Sequence, residues 1–385
     1  MKRFKNRFIF FYFNMSSLKI SLLVAFLCHF FCTKAQILIK EKESDQNIPF
    51  VELRDSGGRI LGMSDENGII LQEVIDKIAK IDLNEVSFSH ISYQTIKLQK
   101  QQFLNSKFIT LSRNTIVLDE VIVSPNKVNY SFLLVKGYYR TYNIIDTQPK
   151  SYTEGIVEYL YPNNSKDDIL IRRLQERSFL LLAGKTMPTL MNINIVGPRV
   201  PDMNLTNENE TKTYSFFDNE NKNYFLLAKQ DILKIRKIPL KNGEYAILQE
   251  IAYLSPEEKK TIKRFGNEAL HEYHNESSVY KTNDSTAISL ENLLYHKEIR
   301  KFKMKGKNDE RFQDVEDIGE FFVEKIEFIQ EKPKGFSRFS GFNGISNYDY
   351  KFWEDITNNK LYKPLPDAIL NSLNNSLVEL KNISR

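Results

Sequence analysis

Apolar and polar residues alternate with a period of two over much of the chain beyond residue 36. Val86 and Phe88 alternate with Ser87 and Ser89, and Ile109 and Leu111 recur two apart, the spacing of strands with one buried face. In this first third the runs are short and broken by turn chemistry. Residues 50–54 lead into Ser56-Gly57-Gly58, and residues 59–63 lead into Asp65-Glu66-Asn67-Gly68, the rhythm of a small antiparallel β-sandwich. Leu71, Val74, Ile75, Ile78 and Ile81 instead recur at helical spacing and predict a short helix over 71–81.

The rest of the chain continues in aromatic and β-branched runs at 138–144, 152–161, 224–228, 245–253 and 320–329, so strands should dominate here too. In the last run Phe322, Ile326 and Phe328 fall on one face, with Lys325 and Glu327 on the other. Two helices are signalled. Ser255-Pro256-Glu257-Glu258 combines a capping box with proline at the first helical position and predicts a helix to Phe265, stopped by Gly266. Leu365-Pro366-Asp367 starts a second, in which Ile369, Leu370, Leu373, Leu377 and Leu380 share a face that would cap the sheet. Residues 202–212, rich in Asn and Glu, read as an exposed loop. The expected fold class is therefore mainly β with minor α. A small antiparallel β-sandwich occupies 36–125, and a larger antiparallel β-rich domain with a few helices occupies 126–385.

The opening 35 residues change the reading of composition. Lys19, an apolar run from Ile20 to Phe31, and small residues at Thr33 and Ala35 have the three parts of a secretory signal, with cleavage expected after Ala35. The apolar run is too short for a bilayer span, which takes roughly twenty residues. Met1 and Met15 both remain open as the start. Of the chain's 54 Lys+Arg, six lie in this segment, which has no acid; 48 are left against 49 Asp+Glu. Nucleic acid, which wants a basic domain or stripe, is thus an unsuitable partner. Both cysteines, Cys28 and Cys32, lie in the leader, so no disulfide is expected to staple the mature fold. The densest basic patch is Lys297, Arg300, Lys301, Lys303, Lys305 and Lys307, diluted by Glu298, Asp309 and Glu310. It reads as a solvated charged strand or loop, with an anionic headgroup as the alternative.

Four segments carry a resemblance. Ile48-Pro49-Phe50-Val51-Glu52-Leu53, Gly62-Met63-Ser64-Asp65-Glu66-Asn67-Gly68, Phe88-Ser89-His90-Ile91-Ser92-Tyr93 and Leu118-Asp119-Glu120-Val121-Ile122-Val123 occur in that order. They resemble the carboxypeptidase-regulatory-like β-sandwich that precedes many outer-membrane nutrient receptors of Gram-negative bacteria. Departures are Ser92 in place of a usual glycine, a missing glycine near Gln36, and the helical insertion. The resemblance implies a sandwich closed by residues 118–123. It also implies that Leu118, Asp119, Glu120 and Val121 could contact an energy-coupling partner of the envelope. The chain beyond is too short for a receptor's plug and barrel. Gly137-Tyr138-Tyr139-Arg140 and the run from Asn347 to Asp355 resemble segments that recur after the same sandwich in envelope proteins, and a curved sheet with a helical lid, as in periplasmic lipid carriers, is one arrangement of such pieces.

Catalytic signatures are sparse. None of His90, His271, His274 or His296 begins a His-x-x-Glu pair, so the resemblance carries no peptidase zinc site. His271 and His274 could share a helical face as metal ligands, but a surface histidine pair is the preferred reading. No G-x-S-x-G, P-loop or G-x-G-x-x-G occurs. No catalytic, cofactor or metal residue is assigned. The segment from Gly335 to Tyr350 sets Phe336, Phe339 and Phe342 among glycines, as ligand-contacting loops do; packing of these rings against the sheet is the preferred alternative. The reading is a non-enzymatic exported protein of the periplasm or outer membrane, with no transmembrane span after cleavage, an envelope protein as partner, and peripheral membrane association. A carrier of lipid or another apolar ligand is the second reading and a hydrolase the third.

Overall fold

Alternating burial along β1 (Ile37–Glu41) and β5 (Glu85–His90) places Ile37, Ile39, Val86 and Phe88 inside and their neighbours at the rim. The computed structural model describes residues 36–114, 122–123, 130–163, 168–181, 215–218, 224–228, 231–239, 245–253, 261–264, 266–283, 289–307, 309–338, 345–359 and 361–381. With β2 (Glu52–Arg54), β3 (Ile60–Met63), β4 (Ile69–Ile70), β6 (Tyr93–Gln99) and β7 (Phe108–Leu111), the first unit forms two sheets in the orders β4-β1-β7 and β3-β2-β5-β6. Ile39, Val51, Leu53, Phe88 and Phe103 fill the space between them. The sandwich contains one parallel pair, β1 with β7. The predicted helix is present as α1 (Gln72–Lys80), which turns Val74, Ile75 and Ile78 into this core. A second short helix, α2 (Lys100–Leu104), inserts Phe103 and was not anticipated.

The second unit is built on one long sheet. Its strands are β8 (Ile122–Val123), β9 (Phe132–Ile145), β10 (Gln148–Pro162), β11 (Leu170–Leu181), β12 (Ser215–Asp218), β13 (Tyr224–Ala228), β14 (Asp231–Pro239), β15 (Tyr245–Tyr253), β16 (Thr261–Arg264), β17 (Asn267–Thr282), β18 (Leu293–Lys305), β19 (Gln313–Ile329) and β20 (Leu377–Glu379). Among the described residues the order is β12-β13-β14-β15-β17-β18-β19-β9-β10-β11-β20, antiparallel throughout, with β16 beside β17 and β8 beside β19. One face packs Tyr139, Val157, Tyr159 and Phe321. The other packs Tyr138, Tyr142, Tyr152, Ile318 and Phe322, and against it lie the sandwich, α3 (Phe352–Asp355) and α4 (Asp367–Asn375). The chain is mainly β, as the alternation implies.

Four expectations change. Ile122 and Val123 do not close the sandwich; they pair in parallel with Lys325 and Ile326 of β19, beyond the end of β18. The predicted helix up to Phe265 is contradicted at Thr261–Arg264, which form a strand paired with the start of β17. Gly266, at φ 81°, sits in the tight turn between them, and a positive-φ glycine serves a hairpin as well as a helix end. Residues 254–260 and the polar stretch 202–212 lie outside the described residues. The last helix stops at Asn375, because Leu377 pairs with Leu181 on the edge of β11, and Leu370 stays exposed. Finally, a bulge between Val323 and Lys325 shifts the parity of β19. Phe322 therefore faces Tyr138, while Ile326 and Phe328 join the opposite cluster.

Candidate functional site

A single row of residues crosses seven strands on the face that meets the sandwich. Arg177 of β11 lies opposite Glu154 of β10, which lies opposite Arg140 of β9; Arg140 faces Glu320 of β19, and Glu320 faces Lys297 of β18. Ser277 of β17 and Glu250 of β15 complete the row. The charges run plus, minus, plus, minus, plus, then, past the serine, minus. Directly opposed unlike charges are the favourable cross-strand arrangement, and here Glu154, Arg140 and Glu320 each have an opposite charge on both sides.

Arg140, Glu154, Glu320 and Glu250 are buried and Arg177 and Lys297 partly so, and at such sites hydrogen bonds matter more than the Coulomb attraction alone. Glu154 accepts from the hydroxyls of Tyr138 and Tyr152 and from Arg177, whose Nε lies at 2.6 Å. Glu320 accepts from Arg140 Nε and from the Tyr295 hydroxyl at 2.6 Å. Burial would raise the Glu320 carboxyl, yet Arg140 and Lys297 hold it below the usual carboxylate range. Burial raises the hydroxyls of Tyr138, Tyr152 and Tyr295, and the adjoining carboxylates raise them further, so all three remain neutral donors.

The sandwich docks on one end of this row. Lys297 Nζ donates to Glu52 Oε1 of β2 at 2.6 Å, and Glu52 also accepts from Arg54 Nε at 2.9 Å. Burial pushes the Glu52 carboxyl up, but Lys297 and Arg54 outweigh it and bring it to about 2. Lys301 Nζ bridges the Ile60 carbonyl at 2.7 Å and Glu316 at 2.8 Å, while Glu316 Oε2 accepts the Ile60 N–H at 2.8 Å. At the far end, His90 Nε2 lies 2.8 Å from Glu250 Oε1. Because His90 Nδ1 accepts the Ser92 N–H at 3.1 Å, Nε2 is the donor to Glu250.

The C-terminal segment lies on the same row. Arg140 stacks on Tyr362, 4.7 Å from the ring centroid, and donates from Nη2 to the Lys363 carbonyl at 2.7 Å. Arg177 lies 3.6 Å from the centroid of Trp353. Lys363 Nζ donates to the His90 and Tyr93 carbonyls of the sandwich. Burial, reinforced by Lys297, lowers Lys363 to about 8. The two segments that resemble recurring sequences, around Arg140 and around Trp353, thus converge on one site.

Between sandwich, sheet and C-terminal segment opens a cleft of about 500 Å³, lined among others by Arg54, Ser87, Arg140, Tyr142, Lys363 and Pro366. Tyr142 is pushed up to about 12 by burial, against the opposing pull of Arg54. Arg140 Nη1 is buried and has no hydrogen-bond acceptor among the described residues, a costly state for a charged donor.

Of the sequence-derived candidates, Phe336 is buried against Leu134 and Leu160, with the Arg172 guanidinium 4.6 Å from its ring centroid. Phe339, Phe342, Leu118, Asp119, Glu120 and Val121 lie outside the described residues. His271 and His274 lie on a strand rather than a helix; a bulge between His271 and Tyr273 interrupts the alternation, and the two rings stand 6.0 Å apart. Four members of the basic patch are paired, Lys297 with Glu52, Arg300 with Glu298, Lys301 with Glu316 and Lys303 with Glu272.

No protein-family model matches the chain, and no curated protein matches it. Among solved structures, one of lipid–protein interactions in lipovitellin aligns with 55% of this chain and 27% of its own, at 9% identity and a TM-score of 0.27. The chain thus spans about a quarter of that protein. No described helix is long and apolar enough to cross a membrane.

Proposed function

We propose that this chain is a non-enzymatic, exported protein of the cell envelope in which a carboxypeptidase-regulatory-like sandwich is a fixed interaction module for the larger β domain. The observation that supports this is the seam. Lys297–Glu52, Lys301–Ile60 and His90–Glu250 join the two units through buried and part-buried polar contacts, and the cleft opens at that junction with Lys97, Lys297 and Lys363 in its lining. A ligand or partner that presents a carboxylate there would meet these cations and touch both units and the C-terminal segment at once.

Capture from periplasmic and outer-membrane fractions tests the reading. The full chain should retain a partner whose binding is weakened by Lys97→Met, at the exposed lip of the cleft; a chain that retains none and stays monomeric contradicts it. Carriage of an apolar ligand is the second reading, favoured by the other face of the sheet, where Tyr139, Tyr159 and Phe321 are buried and Tyr130 and Phe328 pack at the rim. Mass spectrometry of protein purified without detergent should then detect bound lipid, and a ligand-free chain ends that reading.

A further inference from the structure

The face of the sheet turned away from the sandwich carries a second cluster, on β17 and β18. Glu276 and Glu298 occupy directly opposed positions. Two carboxylates placed so repel one another and destabilise a sheet unless a cation lies between them. His274, two residues before Glu276 on the same strand, aims Nε2 at both: 2.9 Å from Glu298 Oε1 and 3.2 Å from Glu276 Oε1. One ligand atom from each residue lies within 4.8 Å of the other two. Donors gathered round one divalent ion at about 2.0–2.2 Å stand roughly 3.0–3.5 Å apart, so the two histidine separations already have the required size.

We propose that His274, Glu276 and Glu298 form a site for a divalent transition-metal ion of the zinc or manganese class. One imidazole nitrogen with two carboxylate oxygens is a donor set for borderline to hard ions, and it lacks the thiolates that select softer ones. The strand geometry makes the site stiff. Glu276 and Glu298 are fixed by pairing, and the side chains are mostly buried, at 19%, 12% and 6% exposed for His274, Glu276 and Glu298. The His271 ring stands 6.0 Å from that of His274, and His296 lies two residues before Glu298 on the same strand. Arg300 now shares Glu298 Oε1 with His274, but its side chain is 44% exposed and free to turn outward. On binding, the ion takes the place of the proton on His274 Nε2, which passes to solvent.

Two arrangements are possible for these residues, a metal site or a self-contained ion-pair cluster of His274, Arg300 and the two glutamates, and Arg300 separates them. In a metal site its positive charge competes with the ion; in an ion-pair cluster it holds the glutamates together. The test is titration of the chelator-treated full chain with zinc(II) alone, and with manganese(II) alone, read by calorimetry. One ion per chain is expected, with affinity weakened at least about tenfold by His274→Ala and by Glu298→Gln, and strengthened by Arg300→Ala. Glu276→Gln, which keeps the side-chain shape, should weaken binding likewise, and far-ultraviolet circular dichroism checks that each variant folds. Absence of binding by the unmodified chain, unchanged affinity in the folded glutamine variants, or weakened binding in Arg300→Ala would overturn the proposal.

Discussion

Lys297, in the middle of the large sheet, donates a 2.6 Å hydrogen bond to Glu52, a residue of the sandwich 245 positions earlier in the chain. The bond makes the sandwich an extension of the charge row that crosses the sheet. Glu52 follows Lys297 in the same sense that Glu320 follows Arg140, and the seam is a continuation of the sheet's electrostatics. The consequences fall on residues from both units.

Gly58 sits in the β2–β3 turn at φ 79°, and a Cβ there would stand 2.5 Å from Pro366 Cβ. Gly58→Ala should lower stability by about 1–3 kcal/mol, from left-handed backbone strain and from the clash across the seam. Neighbouring Gly57, whose nearest prospective contact is the Asp55 side chain at 3.1 Å, should tolerate alanine better. Urea unfolding of the two variants measures the difference.

Glu52 supplies an acid limb. Its carboxyl falls from an ordinary 4.5 to about 2 in the folded chain, so the unfolded chain binds the proton more readily. The stabilisation is complete above pH 4.5 and is lost as the pH falls toward 2. Glu52→Gln should flatten this part of the stability curve relative to the unmodified chain, as read by melting temperature against pH.

Lys363 acts in the opposite direction. Its ammonium falls from 10.5 to about 8 on folding, and between these values the unfolded chain holds more protons. The Lys363 contribution to stability therefore rises with pH through that window. Against Lys363→Met, the unmodified chain should gain in melting temperature from pH 8 up to the onset of tyrosine ionisation near pH 10.

Phe336 is a packing residue in this structure, seated between Leu134, Leu160 and Arg172. Phe336→Ala should cost about 3 kcal/mol through the cavity it leaves. Thermal unfolding checks the loss.

The strands were legible because their alternation survives without tertiary information, and α1 because five apolar residues recur at helical spacing. The strand at Thr261–Arg264 was not, since a proline, two glutamates and a glycine read equally well as helix punctuation or as a hairpin approach. The bulge in β19 was invisible for a similar reason: one extra residue reverses every later side chain without altering composition. The charge row left a local signature in five of its seven strands, an apolar residue two places either side of a charge, as in Tyr138-x-Arg140-x-Tyr142, Ile318-x-Glu320-x-Phe322 and Tyr295-x-Lys297-x-Ile299. On its own each such triplet resembles a strand with one wet position. Only the register aligns them, and register is set by pairing between residues up to about two hundred positions apart. The same holds for His274, Glu276 and Glu298, where the histidine spacing that drew notice led away from the strand partner that completes the cluster.

The central claim, that the sandwich and the sheet are locked together by the charge row, is tested most directly by a double-mutant cycle on Glu52 and Lys297. Stabilities of the unmodified chain, Glu52→Gln, Lys297→Met and the double variant, measured by urea unfolding at neutral pH, give the coupling between the two side chains. The account predicts a coupling of about 1.5–3 kcal/mol, with each single variant suffering more than its share because it removes one of the opposite charges that hold the remaining one. A coupling indistinguishable from zero would contradict it.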